Sequence, residues 1–180
     1  MTADPSAESV AKIASLTSDI PIAMLTTVDP EGHLTARPMA QQETEFDGDL
    51  WFFVEKDSRT ARNLERAPEA GVSLSSGSTW VSLSGTASLV DDRAKARQLW
   101  NSRVEAWMPG GVDDPNLTLI HFHAEAGEYW DTPGGRVASV FSFAKAKLTG
   151  ERYDGGENET VDLGRSSGTT PESNVRSIHD

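Results

Sequence analysis

The 180-residue sequence contains no cysteine. That excludes disulfides, thiolate nucleophiles and cysteine-ligated zinc or iron–sulfur centres, so redox work would fall to a bound cofactor. Basic residues are also few. Sixteen Lys and Arg stand against 28 Asp and Glu, a net charge of −12, which argues against nucleic acid and anionic membranes because counterion-release binding needs a dense basic face. A small phosphate-bearing ligand stays open, since a few local arginines suffice for one. No apolar run approaches the ~20 residues that cross a bilayer. The start from Met1 to Leu16 lacks the basic stretch and apolar core of a secretory signal, so a cytoplasmic location is expected. No phosphate-binding P-loop, zinc-helix signature or internal repeat is found.

What is present suits one domain: 37% of residues are hydrophobic, and the length is too short for two ordinary domains with a linker. Pro5 to Leu16 carries Val10, Ile13, Ala14 and Leu16 at helical spacing and predicts a short lead-in helix. Strands are expected at Pro21–Val28 and His33–Gln41, joined by the turn Asp29-Pro-Glu-Gly32. Asp47-Gly48 is a hairpin signal, and Trp51-Phe-Phe-Val54 reads as a third, buried strand. Asp57 or Ser58 is placed to cap a helix ending before Pro68, and Asp91-Asp92 to cap another through Trp100. Further strands are expected at Gly71–Ser75, Trp80–Val90, Leu117–His123 and Glu128–Trp130, with a turn of helix over Arg103–Trp107. Pro133-Gly-Gly135 reads as a turn before a helix over Val137–Lys147. The strand pattern favours a closed or split antiparallel β-barrel, mainly β (α+β) with six to seven strands and short flanking helices, over an alternating parallel α/β sheet. Residues 1–5 are expected to be a flexible N-terminus, 6–148 the barrel domain, and 149–180 a disordered acidic tail rich in Gly and Ser.

The main site candidate combines Arg37, on the second strand, with Ser58 and Arg59 at a helix start. A helix N-terminus offers unpaired N–H donors, and a guanidinium can hold two phosphate oxygens, so together these residues make a phosphate clamp. Local physics alone favours the plainer reading, in which Ser58 only caps and the arginines are solvated. His121 and His123 share one face of a strand, but no third ligand has evident spacing, and no metal site is expected. Trp80 and Trp100 read as core or interface packing.

The order of segments resembles the pyridoxamine 5′-phosphate oxidase-like family, and more closely its general stress protein branch. The matching runs are Ala23-Met-Leu-Thr-Thr-Val-Asp-Pro-Glu-Gly32, Ala36-Arg-Pro-Met39, Leu50-Trp-Phe-Phe-Val-Glu-Lys-Asp-Ser58, Trp80-Val-Ser-Leu-Ser-Gly-Thr-Ala87, Leu99-Trp-Asn101, Ala106-Trp-Met-Pro-Gly-Gly-Val-Asp-Asp-Pro115 and Glu128-Tyr-Trp-Asp131. This resemblance implies a split barrel that forms a homodimer and holds FMN, with FAD as the alternative, in clefts between subunits. Arg37, Ser58 and Arg59 would then meet the flavin phosphate, and Phe52, Phe53 and Val54 would run beside the isoalloxazine, offering backbone groups. Trp107 and Trp130 fall in segments that resemble cleft-lining parts of the family. Where these proteins usually have lysine, this chain has Thr60, and Arg62 one turn along is the candidate replacement charge.

The C-terminal segment does not carry the basic residues of true pyridoxamine phosphate oxidases, so efficient pyridoxal phosphate synthesis is not expected. Three functions follow from the resemblance: a flavin-binding stress protein that carries or senses the cofactor with weak or no oxidoreductase turnover, a flavin-dependent oxidoreductase or flavin reductase, or a ligand-free structural dimer. The wider fold also accommodates haem and deazaflavin. No catalytic acid or base is assigned.

Overall fold

A computed structural model describes residues 5–42, 44, 46–77, 79–131 and 157–163. The lead-in helix α1 (Pro5–Thr17) is followed by strands β1 (Ile22–Val28) and β2 (Leu34–Ala40). Asp29-Pro-Glu-Gly32 forms the expected turn between them, with the amide of Gly32 donating to the carbonyl of Asp29. β3 (Asp49–Glu55), α2 (Arg59–Arg66), β4 (Glu69–Ser76) and β5 (Thr79–Val90) come next. The short helices α3 (Arg93–Leu99) and α4 (Ser102–Trp107) then lead to the long β6 (Leu117–Asp131) and to β7 (Glu157–Asp162).

All seven strands described belong to one antiparallel sheet, in the order β2-β1-β4-β5-β6-β3, with β7 also on β6. β6 is the hub. One of its edges pairs with β5 from end to end; the other serves β3 along Leu117–His123 and β7 along Ala126–Asp131. The sheet curls until β2 and β3 stand at the two ends of the strand order without pairing to each other. Of the closed and split barrels that the strand pattern leaves open, this is the split form that the resemblance implies.

Alternation sets what faces inward. β1 buries Ala23, Leu25 and Thr27, and β5 buries Val81 and Leu83 while Ser82 and Ser84 face outward. β3 is apolar on both faces, which explains its unbroken Leu-Trp-Phe-Phe-Val run. Leu50, Phe52 and Val54 point into the barrel core, and Phe53 joins Ala96, Leu99 and Val104 in a second cluster under α3 and α4. α1 closes the barrel with Ile13, and α2 does so with Leu64, both buried in the main core.

Three expectations are corrected. Asp47-Gly48 does not join paired strands, because β3 finds its partner in β6, 62 to 74 residues further along the chain, rather than in β2. The two strands expected at Leu117–His123 and Glu128–Trp130 are one strand, interrupted only by a shift in register opposite Ser84 and Gly85. That irregularity places one extra residue on β6 and reverses which face is buried: Ile120, Phe122 and Ala124 face inward before it, Tyr129 after it. Gly85 is required here, since a Cβ would overlap the His123 carbonyl oxygen. Finally, β7 lies within the segment expected to be a disordered tail; its Val161 pairs with Gly127 and is buried in the main core. The turn expected at Pro133–Gly135, the helix expected over 137–147, residues 1–4 and the rest of the tail lie outside the described residues.

Candidate functional site

The unpaired ends of the sheet create the site. Between β2 and β3 lies a cleft of about 210 Å³, walled by Pro38 and Met39 of β2, Phe53 of β3, and Val104 and Trp107 of α4. Among the described residues β3 is paired on one edge only, which leaves the backbone N–H and C=O groups of its other edge outside the ladder. Phe53 is held by an edge-on contact with Trp100, their ring centres 5.5 Å apart. Trp107 stands at the mouth and is 75% exposed. Among the described residues, the cleft lining contains no titratable side chain.

Gln42, itself buried, joins the cleft to a more polar depression of about 580 Å³ that includes Gln41, Asp19 and Arg103. Its Oε1 accepts a hydrogen bond from Asn101 Nδ2 at 3.0 Å. Asn101 in turn caps α4 by accepting from the amides of Arg103 and Val104. One asparagine therefore ties the end of β2 to the helix that carries Trp107.

Of the predicted phosphate clamp, Ser58 and Arg59 stand at the start of α2. Ser58 is its N-cap, as the spacing predicts, with Oγ accepting from the amide of Ala61 at 3.1 Å. Arg59 opens the helix and donates from Nη2 to Asp29 Oδ2 at 3.1 Å. Arg62 turns back to donate to the carbonyl of Asp57. Thr60, at the position where lysine is usual, is buried. α2 is locked onto the β1–β2 hairpin by Asn63, whose Nδ2 reaches Thr27 Oγ1 at 3.0 Å and Thr35 Oγ1 at 3.3 Å. Arg37 lies two residues beyond Thr35 on the same face of β2. Its Nε is buried and has no hydrogen-bond partner among the described residues. Leaving such a donor unsatisfied costs about 1–3 kcal/mol, so the site suits an added acceptor.

The structure brings Phe53 and Trp107 into one cleft and sets Ser58, Arg59 and Arg62 on the first turn of one helix. Phe52 and Val54 face the barrel interior, so only their backbone is available at the open edge of β3. Trp130 is not part of this cleft. It sits on the outer face of β6 directly opposite Trp80 of β5, because the register shift turns this stretch of β6 outward. Trp80, expected to pack in a core or interface, is 49% exposed there.

Sequence reasoning missed two acidic residues. Asp49 lies between His123 Nδ1 at 2.7 Å and His121 Nε2 at 2.9 Å, on a surface where Trp51 stacks on His121. Asp29, almost fully buried, uses Oδ1 to accept from the amides of Glu31 and His33. The His33 amide is the main influence holding the Asp29 carboxyl below its ordinary range; burial opposes it, and the His33 ring, the Glu31 amide and Arg59 add to the lowering. Asp29, Glu31 and His33 also place ligand-type atoms within 4.8 Å of one another, but the hydrogen bonds above already engage both Asp29 oxygens.

An antiparallel sheet split between two edge strands, with an aromatic cleft at the split, defines the class: a split barrel. The chain belongs to the pyridoxamine 5′-phosphate oxidase-like family, whose pattern matches residues 8–154. It is similar to the protein bli-3 of Neurospora crassa, 29% identical over 159 residues that cover 82% of this chain and 76% of that protein. Among solved structures it resembles a candidate general stress protein 26 from Jannaschia sp. CCS1, with 29% identity, a TM-score of 0.71, and coverage of 87% of this chain and 99% of that one. A general stress FMN/FAD binding protein from Xanthomonas citri is 32% identical, with a TM-score of 0.59 and coverage of 69% and 89%. Among the described residues, no helix is long and apolar enough to cross a membrane.

Proposed function

We propose that this chain is an FMN-binding general stress protein that carries or senses the flavin, with weak or no turnover. The observation that carries the reading is the cleft at the split, where the open edge of β3 and the Phe53 and Trp107 rings meet the requirements of a planar, polar-edged cofactor. The buried, unpaired Nε of Arg37 supplies a donor for the phosphate, and the first turn of α2 supplies Ser58 and Arg59. When bound, the flavin offers two-electron chemistry at its ring. Among the described residues the cleft lining offers no side chain to move a proton to or from a substrate, which favours carriage over catalysis. The FMN/FAD binding protein of Xanthomonas citri supports a flavin as the ligand class.

A homodimer belongs to the same reading. The outward face of β1 and β2 carries Ile22, Met24, Leu34, Ala36 and Pro38, all exposed, with no charged side chain among them. A contiguous apolar face of this kind is characteristic of a subunit contact. It adjoins the cleft through Ile22 and Pro38, so a second copy seated there would close the cleft from outside.

The test is fluorescence titration of FMN into wild type and into Arg37→Ala/Arg59→Ala. Each charge-assisted phosphate contact contributes about 1.5–3 kcal/mol, so the double variant should bind at least tenfold more weakly. Unchanged affinity would rule out the clamp. Anaerobic mixing of the loaded protein with NADPH separates carriage from catalysis: slow or absent bleaching of the flavin is expected, and fast bleaching would establish a reductase.

A further inference from the structure

We infer that Asp29 is a positioning residue for phosphate binding, holding Arg59 at the N-terminus of α2 in the orientation that receives the anion. This rests on the flavin reading above and adds a residue that contacts no part of the ligand itself.

The Asp29 carboxylate divides its labour. Oδ1 accepts from the amides of Glu31 at 3.1 Å and His33 at 2.8 Å, which shapes the β1–β2 turn. Among the described residues Oδ2 accepts only from Arg59, through Nη2. An arginine carries five N–H donors in a rigid fork, so this single contact leaves Nη1 and Nε to face an incoming phosphate. The carboxylate side chain is 5% exposed while Arg59 is 57% exposed, so the fixed end of the pair is buried and the presented end is open.

The pair is not needed to hold the helix. Asn63 already locks α2 to the same hairpin through Thr27 and Thr35, and an ion pair with one partner this exposed adds little to stability. Its effect falls instead on binding, because an arginine held in place beforehand loses less rotamer freedom when it engages a ligand. Repulsion between Asp29 and the phosphate is offset by the amides and the guanidinium that surround the carboxylate.

Asp29→Asn separates the two tasks, since an asparagine oxygen still accepts from the turn amides while the charge facing Arg59 is lost. FMN and riboflavin, which lacks the phosphate, are titrated into full-length wild type, Asp29→Asn, Arg59→Ala and the double variant. Asp29→Asn should weaken FMN up to about tenfold, the cost of immobilising one rotamer-rich side chain on binding. It should leave riboflavin unchanged and add nothing in the Arg59→Ala background. Equal weakening of riboflavin, an undiminished effect in that background, or unchanged or tighter FMN binding would overturn the proposal. The ¹⁵N spectrum of the arginine side chains reads the tie without any ligand. A resolved Arg59 signal in wild type that merges with mobile arginines in Asp29→Asn supports positioning, and a merged signal already in wild type overturns it. If the chain binds no FMN but Arg59 is resolved, the flavin reading falls while Asp29 still holds Arg59 for a different phosphate ligand.

Discussion

Arg37 and Arg59, paired by their motif, are held in different ways: one has a buried donor without a partner, the other is tied to a buried carboxylate. Arg37, Ser58 and Arg59 were legible in the sequence because an arginine on an edge strand and a cap after a strand are local patterns. Asp29 was not, since Asp-Pro-Glu-Gly reads only as a turn and its guanidinium partner lies 30 residues away. Asp49 was hidden for the same reason, its histidines arriving from β6. Burial works to raise the Asp49 carboxyl, but the hydrogen bond from His123, the close contact with His121 and the charge of both rings outweigh it, so the net shift is downward from the ordinary 3.8. A carboxyl lowered on folding stabilises the protein above its unfolded value and loses that contribution as pH falls through the folded value. Asp49→Ala should therefore cost about 1 kcal/mol in urea unfolding at pH 7. The deficit should shrink as the buffer is taken below pH ~4, into the range where an ordinary carboxylate is protonated. A deficit independent of pH would show that Asp49 acts by packing alone.

At the scale of elements, helix starts and alternating strands were readable because caps and period-2 patterns are local. Ser58 and Asp92 cap where the pattern places them. β6 was misread as two strands because one extra residue near Glu125 changes which residues face inward, and alternation on either side then appears out of phase. The same shift sends Trp130 outward, although its motif suggested the cleft. β7 escaped notice because a short strand among Gly, Ser and acidic residues takes its stability from β6 rather than from its own pattern. Val161 fills the space above Gly127, where Ile13 of α1 and Leu83 of β5 also meet. Val161→Ala should cost about 2 kcal/mol, the loss expected for a buried branched side chain. Thermal melting checks this, and an unchanged midpoint would mean that the segment does not pack on the barrel.

Over the whole molecule, a closed or split antiparallel barrel was legible because six or seven mostly locally connected strands favour it over an alternating parallel sheet, and the family resemblance narrowed it to the split form. The closing pair was not visible, since nothing local says that β3 joins β6 rather than the outer edge of β2. The consequence is a cleft open on the side that carries the apolar face of β1 and β2. Sedimentation at micromolar concentration should find a dimer, and Met24→Glu, which places a charge on that face in both copies, should yield monomers with weakened flavin binding. A monomeric wild type would refute the shared cleft.

The central claim is that this barrel holds a flavin. The most direct test is the absorption spectrum of the protein purified without added cofactor, followed by titration with FMN. The account predicts the visible bands of bound flavin, or their appearance on titration, saturating at equal amounts of FMN and subunit. A colourless protein that leaves FMN absorbance and fluorescence unchanged at micromolar concentration would contradict it.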